Sequence, residues 1–227
     1  MAKSTYLELV NRVIQECGIS GGSVSSVVGQ SGMRQKVVTW VQESDLYIQR
    51  LFRDWNFLHS TFSGSTIAST SEVSKPSDLG RWDTDSIYVD YTTDNAKQLS
   101  QIDYSDYRNN YGLGTVESDS PDHFALKPNK DLILYPTPDA VYSITGDYWK
   151  LPTKLSANSD TSSIPEHFED VIVHRAKVLY AQHEEAQEMF SYAVEEFRQA
   201  LNDLIANELN DMDALNIGHI DDCIQVV

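Results

Sequence analysis

Apolar residues recur at three- and four-residue steps near both ends of the chain and alternate over short runs in between. From Tyr6 onward, Leu9, Val10, Val13, Ile14 and Cys17 share one face of a helix. Thr5-Tyr6-Leu7-Glu8 precedes that face as an S/T-x-x-E capping box, in which each end satisfies an orphan backbone N–H of the other. Gly18 follows as a left-handed stop. The pattern predicts an amphipathic helix of about three to four turns.

Residues 18–32 hold five glycines and five serines, which predicts a flexible connection. A longer helical stripe then runs from about Met33 to Leu58 through Val37, Val41, Ile48, Leu51, Phe52 and Trp55. Between Ser60 and Leu155 the period shortens. Strands are predicted at Ser86–Tyr91, Lys97–Asp103, His123–Lys127, Leu132–Tyr135 and Ala140–Lys150. Pro128-Asn129-Lys130-Asp131 reads as a hairpin turn, with asparagine suited to a positive φ. Tyr104, Tyr107 and Tyr111 are spaced for a short helix.

Two helices are predicted after Ser163-Ile164-Pro165-Glu166, where proline suits a first helical position. Phe168, Val171, Ile172, Ala176 and Leu179 would be buried on the first. Phe190, Ala193, Val194, Phe197, Leu201, Leu204 and Ile205 would be buried on the second, both packing on the long N-terminal helix. After Asn207 the spacing loosens into His219-Ile220-Asp221-Asp222-Cys223-Ile224-Gln225-Val226-Val227, a weakly alternating run read as an extended tail. Such a tail can add a strand to a neighbouring sheet edge; terminal disorder is the competing reading.

The expected fold class is α+β: an antiparallel-type helical bundle core (residues 1–59 and 163–208), an inserted β-rich lobe (60–162) and a C-terminal arm (209–227). With 227 residues, 41% of them hydrophobic, the chain can bury one main core without disulfides or metals. Its two cysteines, Cys17 and Cys223, form no CxxC motif and read as reduced thiols. Neither a signal-like apolar run nor a stretch of about 18 apolar residues occurs, so a soluble chain without a membrane span is expected.

Charge narrows the partners. Acidic residues outnumber basic ones 34 to 17, and a formal charge of −17 disfavours adhesion to nucleic-acid phosphates. Residues 166–227 carry fourteen acidic groups against Arg175, Lys177 and Arg198, net −11. These carboxylates are expected on a wet face or a channel wall.

Catalytic signatures are missing. His183-Glu184-Glu185-Ala186-Gln187 begins like a zincin helix but lacks the second histidine. The glycine-rich loop follows a helix and contains no phosphate-cradle lysine, and Asp83-Thr84-Asp85-Ser86 places Tyr88 where a calcium loop bends on glycine. No GxSxG elbow occurs. No catalytic, metal or cofactor site is therefore expected, and the chain reads as a non-enzyme. The rival is a small metal-dependent hydrolase whose aspartates converge only in three dimensions. A further alternative is a free-standing cellular interaction module, monomeric in solution.

Several segments together resemble the head-to-tail adaptor proteins of tailed bacteriophages, also called connector, neck or tail-tubular gatekeeper subunits. They are Tyr6-Leu7-Glu8-Leu9-Val10-Asn11-Arg12-Val13, Asp54-Trp55-Asn56-Phe57-Leu58, Asp131-Leu132-Ile133-Leu134-Tyr135-Pro136-Thr137-Pro138, Tyr148-Trp149-Lys150-Leu151-Pro152 and Ile164-Pro165-Glu166-His167-Phe168. The resemblance implies a structural virion protein assembled in the host cytoplasm as a ring of about twelve copies at the head–tail junction. Its partners would be other copies of itself, the portal protein and a downstream tail or neck protein. Double-stranded DNA would pass through the ring without specific binding.

On that reading Glu184, Glu185, Glu188, Glu195 and Glu196 line the channel, where like charge lets DNA slide. Trp55 and Phe57 anchor the lobe. His219, Ile220, Ile224, Val226 and Val227 belong to an arm that reaches the portal or a neighbour, so that truncation would abolish portal docking. A tail-completion or stopper protein of the same particle is the nearest alternative.

Overall fold

The computed structural model describes residues 3–91, 95–113 and 117–209. Two helices come first, α1 (Tyr6–Glu16) and α2 (Gly32–Leu51). Strands β1 (His59–Ser65), β2 (Glu72–Val73), β3 (Leu79–Trp82), β4 (Tyr88–Asp90), β5 (Ala96–Gln98) and β6 (Ser100–Gln101) follow. After α3 (Tyr104–Asn110) come β7 (Ser118–Asp119), β8 (His123–Leu126), β9 (Leu132–Tyr135), β10 (Thr137–Pro138) and β11 (Ser143–Lys150). Helices α4 (Asp170–His183) and α5 (Gln187–Glu208) complete an α+β fold. The chain divides into a helical unit, Met1–Leu58 with Pro152–Val227, and a β unit, His59–Leu151.

In the helical unit the capping box forms as predicted. The Glu8 N–H donates to Thr5 Oγ1 at 3.3 Å, and the Thr5 N–H donates to Glu8 Oε2 at 2.7 Å. Tyr6, Leu9, Val10, Val13 and Ile14 are buried, and the Tyr6 hydroxyl donates to Val38 O at 2.6 Å on α2. Helix α1 packs on α2 and α4, α2 on α4, and α4 on α5.

Four features of the helical unit differ from the sequence expectation. Helix α2 stops at Leu51 instead of Leu58, because Phe52 turns extended and the Trp55 indole donates back to Ile48 O at 3.0 Å. It thereby satisfies a carbonyl orphaned at the helix end. Phe52, Trp55 and Phe57 then form an aromatic cluster, with centroid separations of 5.1 Å on either side of the indole. The glycine-rich connection is pinned, not loose. Val24 and Val27 are buried, Asn11 exchanges two hydrogen bonds with the Val24 backbone, and the Val27 N–H donates to Asn158 Oδ1 at 2.8 Å. Pro165 precedes a short 3-10 turn, Glu166–Phe168, with an extended backbone, so it lies outside the helical positions. On α4 the stripe is also broader than predicted, with Val173, Val178 and Ala181 buried and Leu179 only half-buried.

In the β unit, β11 is the spine of the larger sheet, ordered β1-β11-β4-β5 with β3 also paired to β11. A second sheet runs β2-β9-β8-β6, and β10 pairs with β7. Val73, Leu79, Trp82, Ile87, Val89, Leu99, Phe124, Leu132, Leu134, Ile144 and Tyr148 form the core of this unit. The hairpin between β8 and β9 is present, but its positive φ, +72°, falls on Lys130. Asn129 instead accepts the Asp131 N–H at 3.1 Å on its side-chain oxygen, an Asx turn that passes the left-handed position to the next residue. The predicted short tyrosine-bearing helix is α3, with Tyr107 buried. Strands β1, β2, β3, β7 and β10 have no counterpart among the strands expected from the sequence.

Candidate functional site

The acidic groups picked out in the sequence sit at the α4–α5 junction and along α5. Helix α4 ends on His183, Glu184 follows as its C-cap, and Glu185 adopts a left-handed φ of +55°. Glu188 lies in the first turn of α5. Glu184, Glu185 and Glu188 are all exposed, and carboxylates in a first helical turn complement its dipole. His183 lies against the Trp40 ring at 5.5 Å and within hydrogen-bond reach of Lys36, so a cationic and aromatic group from α2 adjoins this junction.

Glu195 and Glu196 belong to different surroundings. Glu195 is exposed and neutralised by Arg198 one turn on, at 2.6 Å, while also accepting from Gln199. Glu196 is turned toward α4. Lys177 Nζ lies 2.7 Å from Glu196 and 3.2 Å from Glu16, while Arg12 bridges Glu16 at 2.8 Å and Asp170 at 2.5 Å. His174 Nδ1 approaches Glu196 at 3.3 Å without hydrogen-bond alignment. Burial pushes Glu196 upward, but the hydrogen bond and charge of Lys177 outweigh it and leave the carboxyl below its ordinary value. The charge run is thus two structures: an exposed acidic junction and an ion-pair ladder joining α1, α4 and α5.

A buried polar network was missed at the sequence level. Asp45 and Gln49 lie fully inside the helical unit, where Asp45 accepts from Ser162 Oγ at 2.5 Å and from Gln49 Nε2 at 2.8 Å. Ser162 Oγ in turn accepts the Ile164 N–H at 3.0 Å, and Gln49 accepts the Thr153 N–H at 3.0 Å. Glu169, also buried, takes the Ser4 N–H on both carboxylate oxygens. Burial pushes the Asp45 carboxyl up to about 6, against the pull of the Ser162 and Gln49 hydrogen bonds. The available signal was positional: Asp45 and Gln49 continue the Val37–Val41 row at four-residue steps, placing polar groups on the buried face. The network ties α2 to the segment 153–164 and is structural.

Trp55 and Phe57 lie within the helical unit, stacked on one another, with Trp55 fully buried. His219, Ile220, Ile224, Val226 and Val227 lie outside the described residues. A cleft of about 450 Å³ beside α4 and α5 is lined by His167, Asp170, His174, Tyr192 and Glu196 among others. Of its three carboxylates, Asp170 and Glu196 are held by Arg12 and Lys177, and Asp203 is the third. A second cleft of about 440 Å³ in the β unit is lined mainly by hydroxyls, those of Ser69, Ser71, Tyr107, Ser118 and Thr137. Among the described residues no group of three or more His, Cys, Asp or Glu is arranged to hold a metal ion. No described helix is long and apolar enough to cross a membrane.

The model of a family described as SU10 adaptor protein matches residues 4–218, nearly the whole chain and both units. No curated protein matches the sequence.

Proposed function

Because the chain belongs to the SU10 adaptor protein family, a family of structural phage head–tail adaptors, we propose that it forms a ring of about twelve copies beneath the portal, in the manner of connector and gatekeeper subunits. The carrying observation is the extent of the family match, which takes in both the helical unit and the β unit. On this reading α1, α2, α4 and α5 form a helical bundle core. The β unit is an appended lobe, and residues 209–227 reach beyond their own subunit. The virion is its location, and the portal and a downstream tail or neck protein are its partners.

Within the ring, the exposed junction of Glu184, Glu185 and Glu188 faces the DNA channel and repels phosphate over the roughly 8 Å Debye distance of physiological salt. Glu195 and Glu196 contribute less, since Arg198 and Lys177 neutralise them. Electron microscopy of the purified full chain, alone and mixed with portal protein, tests the reading. Rings seated on the portal are expected, with the α4–α5 junction at the inner wall. A monomer that ignores the portal overturns the adaptor role, and a junction on the outer wall overturns the channel assignment.

A further inference from the structure

The larger sheet of the β unit has two very different edges. One is β5, three residues long, exposed along its length and carrying Lys97 at its centre. Shortness and an edge lysine are devices that discourage strand addition. The opposite edge is β1, seven residues in unbroken register with β11 from His59↔Trp149 to Ser65↔Ser143. Its sequence, His-Ser-Thr-Phe-Ser-Gly-Ser, contains no lysine, proline or carboxylate, and no bulge interrupts it.

The register fixes which backbone groups of β1 are unused. The Thr66 N–H donates to Tyr142 O at 2.9 Å, immediately past the Ser65↔Ser143 pair. Antiparallel pairs alternate between bonded and non-bonded, so Gly64, Phe62 and Ser60 exchange bonds with β11. Ser65, Ser63 and Thr61 therefore aim their N–H and C=O groups away from it. The far side of β11 agrees: Asp147, opposite Thr61, uses its carbonyl to accept the Asp83 N–H at 2.9 Å. Among the described residues no strand pairs with this outer side of β1. Phe62, packed edge-on against Trp82 at 5.3 Å, is only half-buried at the rim of the core.

An occupant must supply an extended backbone and apolar side chains on one face to cover Phe62. An extended run of residues 219–227 places Ile220, Ile224 and Val226 at alternating positions on one face, with Asp222 between them and Asp221 on the other face. The eighteen positions 210–227 after the described part of the chain span up to about 60 Å when extended, enough to leave one subunit for the next. We propose that the outer edge of β1 accepts residues 219–227 of a second copy as an added strand, linking copies head to tail around the ring. This rests on the ring reading above and names the contact that closes it. Head-to-tail contacts of this kind are heterologous, as a closed ring requires.

Cys223 provides the probe. In the full chain carrying Cys17→Ser, each of Thr61→Cys, Ser63→Cys and Ser65→Cys is assembled and mildly oxidised, with isotopically light and heavy subunits mixed. A disulfide from Cys223 to one of these positions, joining light to heavy chains, is expected, and Gln98→Cys on the β5 edge should give none. Ser63→Pro removes only an outward N–H, so assembly should fall at least tenfold while the circular dichroism spectrum and unfolding midpoint of the subunit stay unchanged. Rings that form without any of the three cross-links, a cross-link within one copy, capture of Cys223 by the portal instead, or undiminished assembly of Ser63→Pro each overturn the proposal and leave the adaptor reading standing. Absence of rings both with and without portal overturns the adaptor reading itself.

Discussion

The helical unit and the β unit are stabilised in opposite ways. The helical unit surrounds a polar centre, where Asp45, Gln49, Ser162 and Glu169 are buried and hydrogen-bonded, and it is braced outside by the Arg12–Glu16–Lys177–Glu196 ladder. The β unit has a nearly all-apolar core in which Trp82, Phe124, Leu132, Leu134 and Ile144 interlock from short strands. Buried polar groups demand a full set of partners and so specify one arrangement, whereas an apolar cluster rewards volume and tolerates substitution. Titration should therefore move the first unit, and large-to-small substitution should be felt in both.

The largest effect is expected from Trp55→Ala and Phe124→Ala, one in each unit and both fully buried. Each should cost about 3–5 kcal/mol in urea unfolding, with Trp55 toward the upper end because the Ile48 carbonyl also loses its donor. Equal losses at pH 5 and pH 7 would show that neither depends on the polar centre.

Next comes the pH response of the helical unit. The Asp45 carboxyl is raised from 3.8 to about 6, so the folded state holds its proton more tightly than the unfolded chain. The resulting stabilisation is complete below about pH 4 and is lost as pH rises through 6, an effect on the order of 3 kcal/mol. Asp45→Asn should flatten this segment of the stability–pH curve, whatever its effect on absolute stability. An unchanged curve would remove Asp45 as its origin.

Thr5→Ala deletes one arm of the capping box and should cost about 1 kcal/mol, read from the denaturation midpoint. Lys130→Gly relieves a left-handed backbone at +72° and should stabilise the β unit by about 0.5 kcal/mol after the added unfolded-state entropy of glycine. A loss of stability there would show that the contact of Lys130 Nζ with Gly80 O outweighs the strain.

The same contrast explains what could be read from the sequence. Helices α1, α4 and α5 were legible because their signals are local: a capping box, stripes at helical spacing, the loss of that spacing after Asn207. Strand β9 and its hairpin were legible because Leu132, Leu134 and a proline-led turn are adjacent in sequence. Strand β1 was not, since His-Ser-Thr-Phe-Ser-Gly-Ser carries one apolar side chain and owes its conformation to β11, whose paired residues lie 78 to 90 positions away. The end of α2 was hidden similarly, because Leu51, Phe52 and Trp55 keep helical spacing while packing as an aromatic knot. For the acidic surface, charge counting located the carboxylates but could not distinguish Glu188, open to water, from Glu196, which faces Lys177.

The register of β1 with β11 also sets how the chain leaves and re-enters the helical unit. His59 and Trp149, the first residue of the β unit and its third from last, are Cα partners, about 5 Å apart as neighbouring strands require. A segment of ninety-three residues is thus spliced in at what is geometrically a single point. Replacing it by a short turn would demand little loop-closure entropy, so the closure of the helical unit depends little on the length of what is inserted between His59 and Trp149.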